Sequence, residues 1–222
     1  VTDDGGRYVL PDLPDARYNV WVRGYGLKDS DPVAGRPGDT LDLVAIPARN
    51  PREAAAVYPA NYWYSLVEVP PESAFPGTGE SGNGISPGMR TQANWVDGLK
   101  QGCQLCHQLG NQATREILNP ANFDSTEAAW THRVQAGQRG ALMNGGLRRF
   151  GADTAVAMYA NWTDRIMAGE VPPAPPRPEG PERNVVLTMW EWGGPTGYVH
   201  DEIATDKRNP QVNAGGPVYG VE

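Results

Sequence analysis

Along the first 47 residues apolar and polar side chains alternate in short bursts. "RYVL", "YNVWV" and "LDLVAI" carry the period of two that a half-buried strand requires. Pro, Gly and Asp punctuate them. In "YNVWVRGYG" the alternation predicts Tyr18, Val20 and Val22 on one side and Asn19, Trp21 and Arg23 on the other. One buried face of this kind predicts a small antiparallel β-sandwich. The strands are too few to close one.

From residue 86 the period lengthens toward that of a helix. Ser86 and Pro87 read as an N-cap and first helical residue, predicting a helix to about Lys100 with Trp95, Val96 and Leu99 inward. A second helix is predicted from Asp124, with Glu127 completing a capping box and Trp130, Val134, Gly137 and Ala141 on one face. The third runs between Asp153 as cap and Gly169 as stop, with Ala155, Tyr159, Trp162 and Ile166 forming an apolar stripe. Three short helices joined by two long loops carry little apolar bulk. The expectation is that something other than side chains fills their middle.

Between these regions lies a connector rich in Pro, Gly and Ser. Its "YPANYWYSLVEVP" crowds Tyr58, Tyr62, Trp63 and Tyr64 together, and aromatics so dense are expected to pack on a neighbouring domain, with ligand binding as the alternative. After Glu170, "VPPAPPRPEGPERN" reads as a stiff polyproline-type spacer, followed by a strand in "NVVLTMWEW" and a Gly/Asn/Pro-rich tail. The segments are therefore 1–48, a sandwich; 49–86, a connector; 87–170, a helical domain; 171–183, a linker; and 184–222, an extended or β tail.

Composition narrows the picture. The chain holds 27 Gly and 21 Pro, about a fifth of its 222 residues, so loops occupy much of it. The net charge of -7 is spread as 7 basic and 12 acidic residues over 1–87, 8 and 7 over 88–170, and 4 and 7 over 171–222. No clustered basic footprint for nucleic acid emerges. Mean hydropathy is -0.52, and no apolar run reaches the ~20 residues that span a bilayer. The opening "VTDDGGRYVL" contains no recognisable signal peptide.

The chain's 2 cysteines stand in "KQGCQLCHQLGNQATREI" as Cys103 and Cys106, with His107 next to the second. C-x-x-C-H is the attachment motif for c-type haem. Each cysteine adds across a vinyl group, and the adjacent histidine becomes the proximal iron ligand. The alternatives are zinc, a redox dithiol and coincidence. Structural zinc wants four ligands, and a second cysteine pair is lacking. A thioredoxin-like dithiol wants a βαβ setting. The reading is one covalent haem c held by Cys103, Cys106 and His107.

For the distal iron ligand the candidates are Met89, Met143, Met158, Met167, His132 and His200. Met143, in the Gly-flanked "GQRGALMNGG", is expected on a loop able to swing over the iron, with His132 as alternative distal ligand and a core-filling methionine as the plain reading. His132 otherwise reads as a surface helix residue. "HDE" at His200, Asp201 and Glu202 reads as a polar turn before it reads as a metal site, and "NWT" at Asn161 as an accidental match to a glycosylation acceptor.

Residue order adds a resemblance. "TDDGGRYVLPDLPDARYNVWVRGYG" resembles the carboxypeptidase regulatory-like, transthyretin-like β-sandwiches, whose pattern starts one or two strands earlier. The first strands are then missing, or another chain completes the sheet. The helical stretch "NWVDGLKQGCQLCHQLGNQATREI" with "AWTHRVQAGQRGALM", followed by "MYANWTDRIMAGEVPPAPPRPEGPERNVVLTMWEWG" and "YVHDEIATDKRNPQVNAGGPVYG", is similar to a bacterial family of exported multidomain proteins. These combine such a sandwich, a single-haem class I-like cytochrome c domain and a β-propeller similar to streptogramin lyases. The resemblance implies a multidomain fold: an antiparallel β-sandwich, an all-α cytochrome c domain of about three helices around one haem, and a truncated lead-in to a propeller. It implies a periplasmic or extracellular electron carrier rather than a catalyst, acting with a redox partner protein. Self-association through sandwich edge strands is a further expectation. The alternatives are an electron-port module of a larger propeller dehydrogenase or lyase, and a structural subunit of a multi-chain cytochrome assembly.

Overall fold

The computed structural model describes residues 2–3, 5–10, 13–104 and 107–174, and the backbone of 200–203 and 218–221. Two compact units divide the chain, one holding Val1–Tyr58 and Val171–Glu191, the other Pro59–Glu170 and Trp192–Glu222.

In the first unit β1 (Tyr18–Val20) pairs antiparallel with β3 (Val33–Gly35), Tyr18 facing Gly35 and Val20 facing Val33. Separately, β2 (Leu27–Lys28) pairs antiparallel with β4 (Ile46–Pro47). The alternation survives in part: Tyr18, Val20 and Val22 are half-buried and Asn19 and Trp21 exposed, but Arg23, expected with the latter, is half-buried as well in its ion pair with Asp29. "RYVL" forms no strand and "LDLVAI" contributes only Ile46. Val9, Leu10 and Val44 are 83%, 55% and 74% exposed. Each ladder has two strands, and among the described residues no second sheet covers them. After β4, Asn50 caps α1 (Pro51–Ala55) by accepting from the Glu53 N–H at 2.9 Å. Tyr58 ends this stretch, buried edge-on against Tyr25 with ring centres 5.5 Å apart.

The second unit is helical: α2 (Ala60–Tyr64), α3 (Gln92–Gln104), α4 (Gln112–Arg115), α5 (Thr126–Gln135), α6 (Gly140–Leu147) and α7 (Ala152–Met167). Its spine is α7. Ala155, Tyr159, Trp162 and Ile166 are all at most 5% exposed, as their spacing predicts. Met158, expected off the stripe, is buried too, because α7 is covered by α4, α5 and α6 and needs a wider apolar face.

Helix starts differ from the predicted ones. Ser86 and Pro87 form a turn in which the Met89 N–H donates to the Ser86 carbonyl at 2.9 Å. Helix α3 begins at Gln92, where Thr91 Oγ1 accepts from the Asn94 N–H at 3.1 Å. Ser125, not Asp124, caps α5 by accepting from the Ala128 N–H at 3.1 Å. That helix stops at Gln135, and Gly137 turns the chain with φ 73°, so Gly137 and Ala141 do not share its face. Gly151 precedes α7, and Asp153 lies in the first turn, where its charge favours the helix dipole. Gly169, with φ 109°, follows the helix end as expected.

Residues 59–86 are not a detached connector. The indole N–H of Trp162 donates to the Trp63 carbonyl at 2.9 Å. Arg165 pairs with Glu68 at 2.9 Å and donates to the Leu66 carbonyl. Gln92 Nε2 donates to the Pro70 carbonyl at 2.8 Å, and Ile85 is 1% exposed. With Trp95 donating to the Phe150 carbonyl at 2.9 Å, the chain's own aromatics fill the middle: Trp63, Trp95, Trp130, Phe150, Tyr159 and Trp162. Part of that filling comes from residues 59–86, whose Pro and Gly content suggests a connector.

Near the C-terminus β5 (His200–Ile203) pairs antiparallel with β6 (Val218–Val221). His200, Asp201 and Glu202 therefore lie on a strand, not in the predicted turn. The polyproline spacer beyond Ala174 and the "NVVLTMWEW" strand lie outside the described residues.

Candidate functional site

The site grows from the end of α3. Trp95 and Leu99 anchor that helix, both fully buried, and Cys103 follows four residues after Leu99. The His107 N–H donates to the Cys103 carbonyl at 2.9 Å. The bond ties the backbone of His107 to that of Cys103, the residue before the last of α3. Cys106 lies outside the described residues.

The chain after His107 is tightly fixed. Gly110 has φ 99°, and a Cβ there would lie 1.8 Å from the Ala60 carbonyl oxygen; only glycine lets the loop reach α2. Its N–H donates to Thr114 Oγ1 at 2.9 Å. Asn111 caps α4 by accepting from the Thr114 N–H at 2.9 Å. Arg115 donates to the Gly110 carbonyl at 2.8 Å while its guanidinium lies 4.2 Å over the Trp63 ring. From α5, Arg133 donates to the Thr114 carbonyl at 3.0 Å and to the Glu116 carbonyl.

Two phenols, Tyr64 and Tyr159, neighbour Cys103. The Tyr159 hydroxyl donates to its sulfur at 4.0 Å. Tyr159 stacks on Trp130, ring centres 4.8 Å apart and planes 17° from parallel. The Arg133 guanidinium covers the Trp130 ring at 4.7 Å. Burial, and then the neighbouring Cys103, push the Tyr64 phenol up to about 12. The same two causes, burial first, hold Tyr159 well above its ordinary value, so both phenols keep their protons at neutral pH. Burial, followed by the charge of Arg133, lowers the pKa of His107. The imidazole is thereby kept neutral, the form that has a lone pair to offer a metal. Tyr64 also lines an open groove of 310 Å³ with Asn61, Val67, Val69, Val96 and Lys100.

The other candidates stand elsewhere. Met143 lies on α6, not on a loop. It is half-buried on the face that carries the buried Gly140 and Leu147. His132 is exposed on α5 with its ring 5.4 Å from Phe123. Met89 precedes α3, Met158 is buried on α7, Met167 is exposed at the end of α7, and His200 is on β5. Among the described residues no group of three His, Cys, Asp or Glu side chains is placed to hold a bare metal ion.

Sequence reasoning did not single out Tyr64, Trp130, Arg133 or Tyr159 as neighbours of the cysteine motif. Their signal was present: Tyr159 and Trp130 fall on the apolar faces of α7 and α5, and Arg133 sits three residues after Trp130. Comparison of the chain with protein-family models, with curated proteins and with solved structures finds no match.

Proposed function

We propose that the chain is a c-type cytochrome module that carries single electrons outside the cytoplasm through one covalently attached haem. The observation that carries this reading is the backbone bond from the His107 N–H to the Cys103 carbonyl, which keeps the two residues close within the C-x-x-C-H sequence. These residues suit the group by their chemistry. Cys103 and Cys106 are the thiols for thioether bonds, and His107 is the proximal ligand. The attached iron would supply the one-electron Fe(III)/Fe(II) couple. The protein's part is to hold and shield it. Arg115 and Arg133 clamp the loop that follows His107, and the buried Tyr159 hydroxyl meets the Cys103 sulfur.

Met143 is the proposed distal ligand, with His132 the alternative. Met143 lies on the packed face of α6, in place of the expected loop. A redox partner protein completes the reading, and thioether attachment suits a carrier in the periplasm or beyond.

The test is a pyridine haemochrome spectrum of protein made in a host with c-haem maturation. Sharp α and β bands on reduction, lost in Cys103→Ala and His107→Ala variants, are expected. A colourless protein from a working maturation host overturns the proposal. In coloured protein, Met143→Ala should abolish the weak red-edge band of a methionine-ligated ferric haem.

A second reading, assembly with other chains through the edges of β1–β4, is favoured by the exposed Val9, Leu10, Trp21, Val33 and Val44 of the first unit. Light scattering over a concentration series tests it, and a monomer throughout excludes self-association.

A further inference from the structure

The contact between Cys103 and α7 carries more than packing. A guanidinium, an indole and a phenol lie in series: Arg133 covers Trp130, Trp130 stacks on Tyr159, and the Tyr159 hydroxyl reaches the Cys103 sulfur. Every layer is fixed independently. The Arg133 guanidinium is tied to the carbonyls of Thr114 and Glu116. The Trp130 indole N–H donates to Thr163 Oγ1 at 3.0 Å, and Thr163, fully buried, donates in turn to the Arg115 carbonyl at 3.0 Å. Tyr159 is itself buried. Burial and stacking confine the ring, and its hydroxyl stands 4.0 Å from the Cys103 sulfur. A ring there for bulk alone would be served by phenylalanine, which would leave no buried hydroxyl to satisfy.

We propose that Tyr159 is a positioning residue for Cys103: its hydroxyl, immobilised by the Arg133–Trp130–Tyr159 stack, holds the Cys103 sulfur in one rotamer and so fixes how that thiol is offered for thioether formation. The inference rests on the proposed haem attachment. In that reaction Cys103 adds its S–H across a vinyl group. A carbon–sulfur bond replaces the S–H and the carbon–carbon π bond, the proton goes to the terminal vinyl carbon, and no electrons enter or leave. A sulfur that samples several rotamers meets the vinyl less often. One neutral hydrogen bond shifts such a population by about five-fold. Cys106, the other thiol of the motif, serves as the internal reference.

The experiment uses the full chain in two states. From a host with c-haem maturation, wild type, Tyr159→Phe and Tyr64→Phe are digested, and haem-bearing and bare thiols at Cys103 and Cys106 are quantified by mass spectrometry. Tyr159→Phe should lower attachment at Cys103 relative to Cys106 by about five-fold, while Tyr64→Phe should not. From a host without maturation, a Cys106→Ser background leaves Cys103 as the sole thiol, and its alkylation by iodoacetamide at neutral pH is timed. Tyr159→Phe should raise that rate by about the same factor. Trp130→Phe, which loosens the stack but keeps the phenol, should raise it by less, and it keeps the test open should Tyr159→Phe not fold. Equal attachment and equal alkylation across the variants overturn the inference. Wild type bare at both cysteines overturns the haem reading instead, and the alkylation rates still decide the role of Tyr159.

Discussion

Trp162 gives its indole proton to the main-chain carbonyl of Trp63, 99 residues earlier, at 2.9 Å. Both side chains are buried, so water cannot replace the bond. Trp162→Phe keeps an aromatic ring but leaves that carbonyl without its donor, and should cost about 1–3 kcal/mol. Trp162→Ala adds a cavity and should cost about 3–5 kcal/mol. Urea unfolding followed by circular dichroism measures both, and equal losses would assign the whole effect to something other than the hydrogen bond.

Gly110→Ala should be among the most damaging single substitutions. The added carbon would meet the Ala60 carbonyl oxygen at 1.8 Å and the Tyr64 nitrogen at 2.8 Å, both backbone atoms, from a residue at φ 99°. Neither neighbour can rotate away. A loss of about 3 kcal/mol or more is expected, read as a lowered Tm. Gly137→Ala, at φ 73° but with open space around the new carbon, pays only for its backbone and should lose about 1 kcal/mol.

The start of α5 is assigned to Ser125 by the bond from the Ala128 N–H. Ser125→Ala should therefore cost about 1 kcal/mol, whereas Asp124→Ala, at the exposed neighbouring position, should stay within about 0.5 kcal/mol. Chemical denaturation of the two variants decides between the caps, and the reverse order of losses would return the cap to Asp124.

Alkali should weaken the helical unit through its phenols. Tyr64 ionises at about 12 in the folded chain and Tyr159 later than its ordinary value, both mainly because of burial. An unfolded tyrosine releases its proton near 10. Above that value the folded chain holds more protons than the unfolded one, so stability, complete below pH 10, falls as pH rises toward 12. Urea midpoints measured across that range should decline, and the Tyr64→Phe, Tyr159→Phe double variant should flatten the decline.

What could be read from the chain beforehand follows a physical division. The stripe Ala155, Tyr159, Trp162 and Ile166 was legible because one helix buries one face, and the rule needs no knowledge of the partner. The cap and stop residues were legible to within a residue or several: Ser125 stands beside the expected Asp124, but Gln92 begins its helix five residues after Pro87. Competing turn formers, Ser86-Pro87 and Thr91, offer the backbone the same local bonds, and the tertiary bond from the Ser86 N–H to the Arg149 carbonyl chooses between them. The role of residues 59–86 was not legible. Their Pro and Gly content suggests a spacer, and their true partners, Trp162 and Arg165, are nearly a hundred residues away with no periodicity to announce them. For the cysteine motif, spacing named the chemistry, while Tyr159, Trp130 and Arg133 joined it only once the helices were placed.

The same long bonds bear on how the chain is made. Residues 63 and 66 wait for residues 162 and 165, and at about 5–20 residues per second those arrive roughly five to twenty seconds later. Until then the Trp63 carbonyl lacks its indole donor and the thiol at 103 lacks the Tyr159 hydroxyl. The helical unit therefore cannot close piecemeal on the ribosome. It shuts once, when α7 emerges.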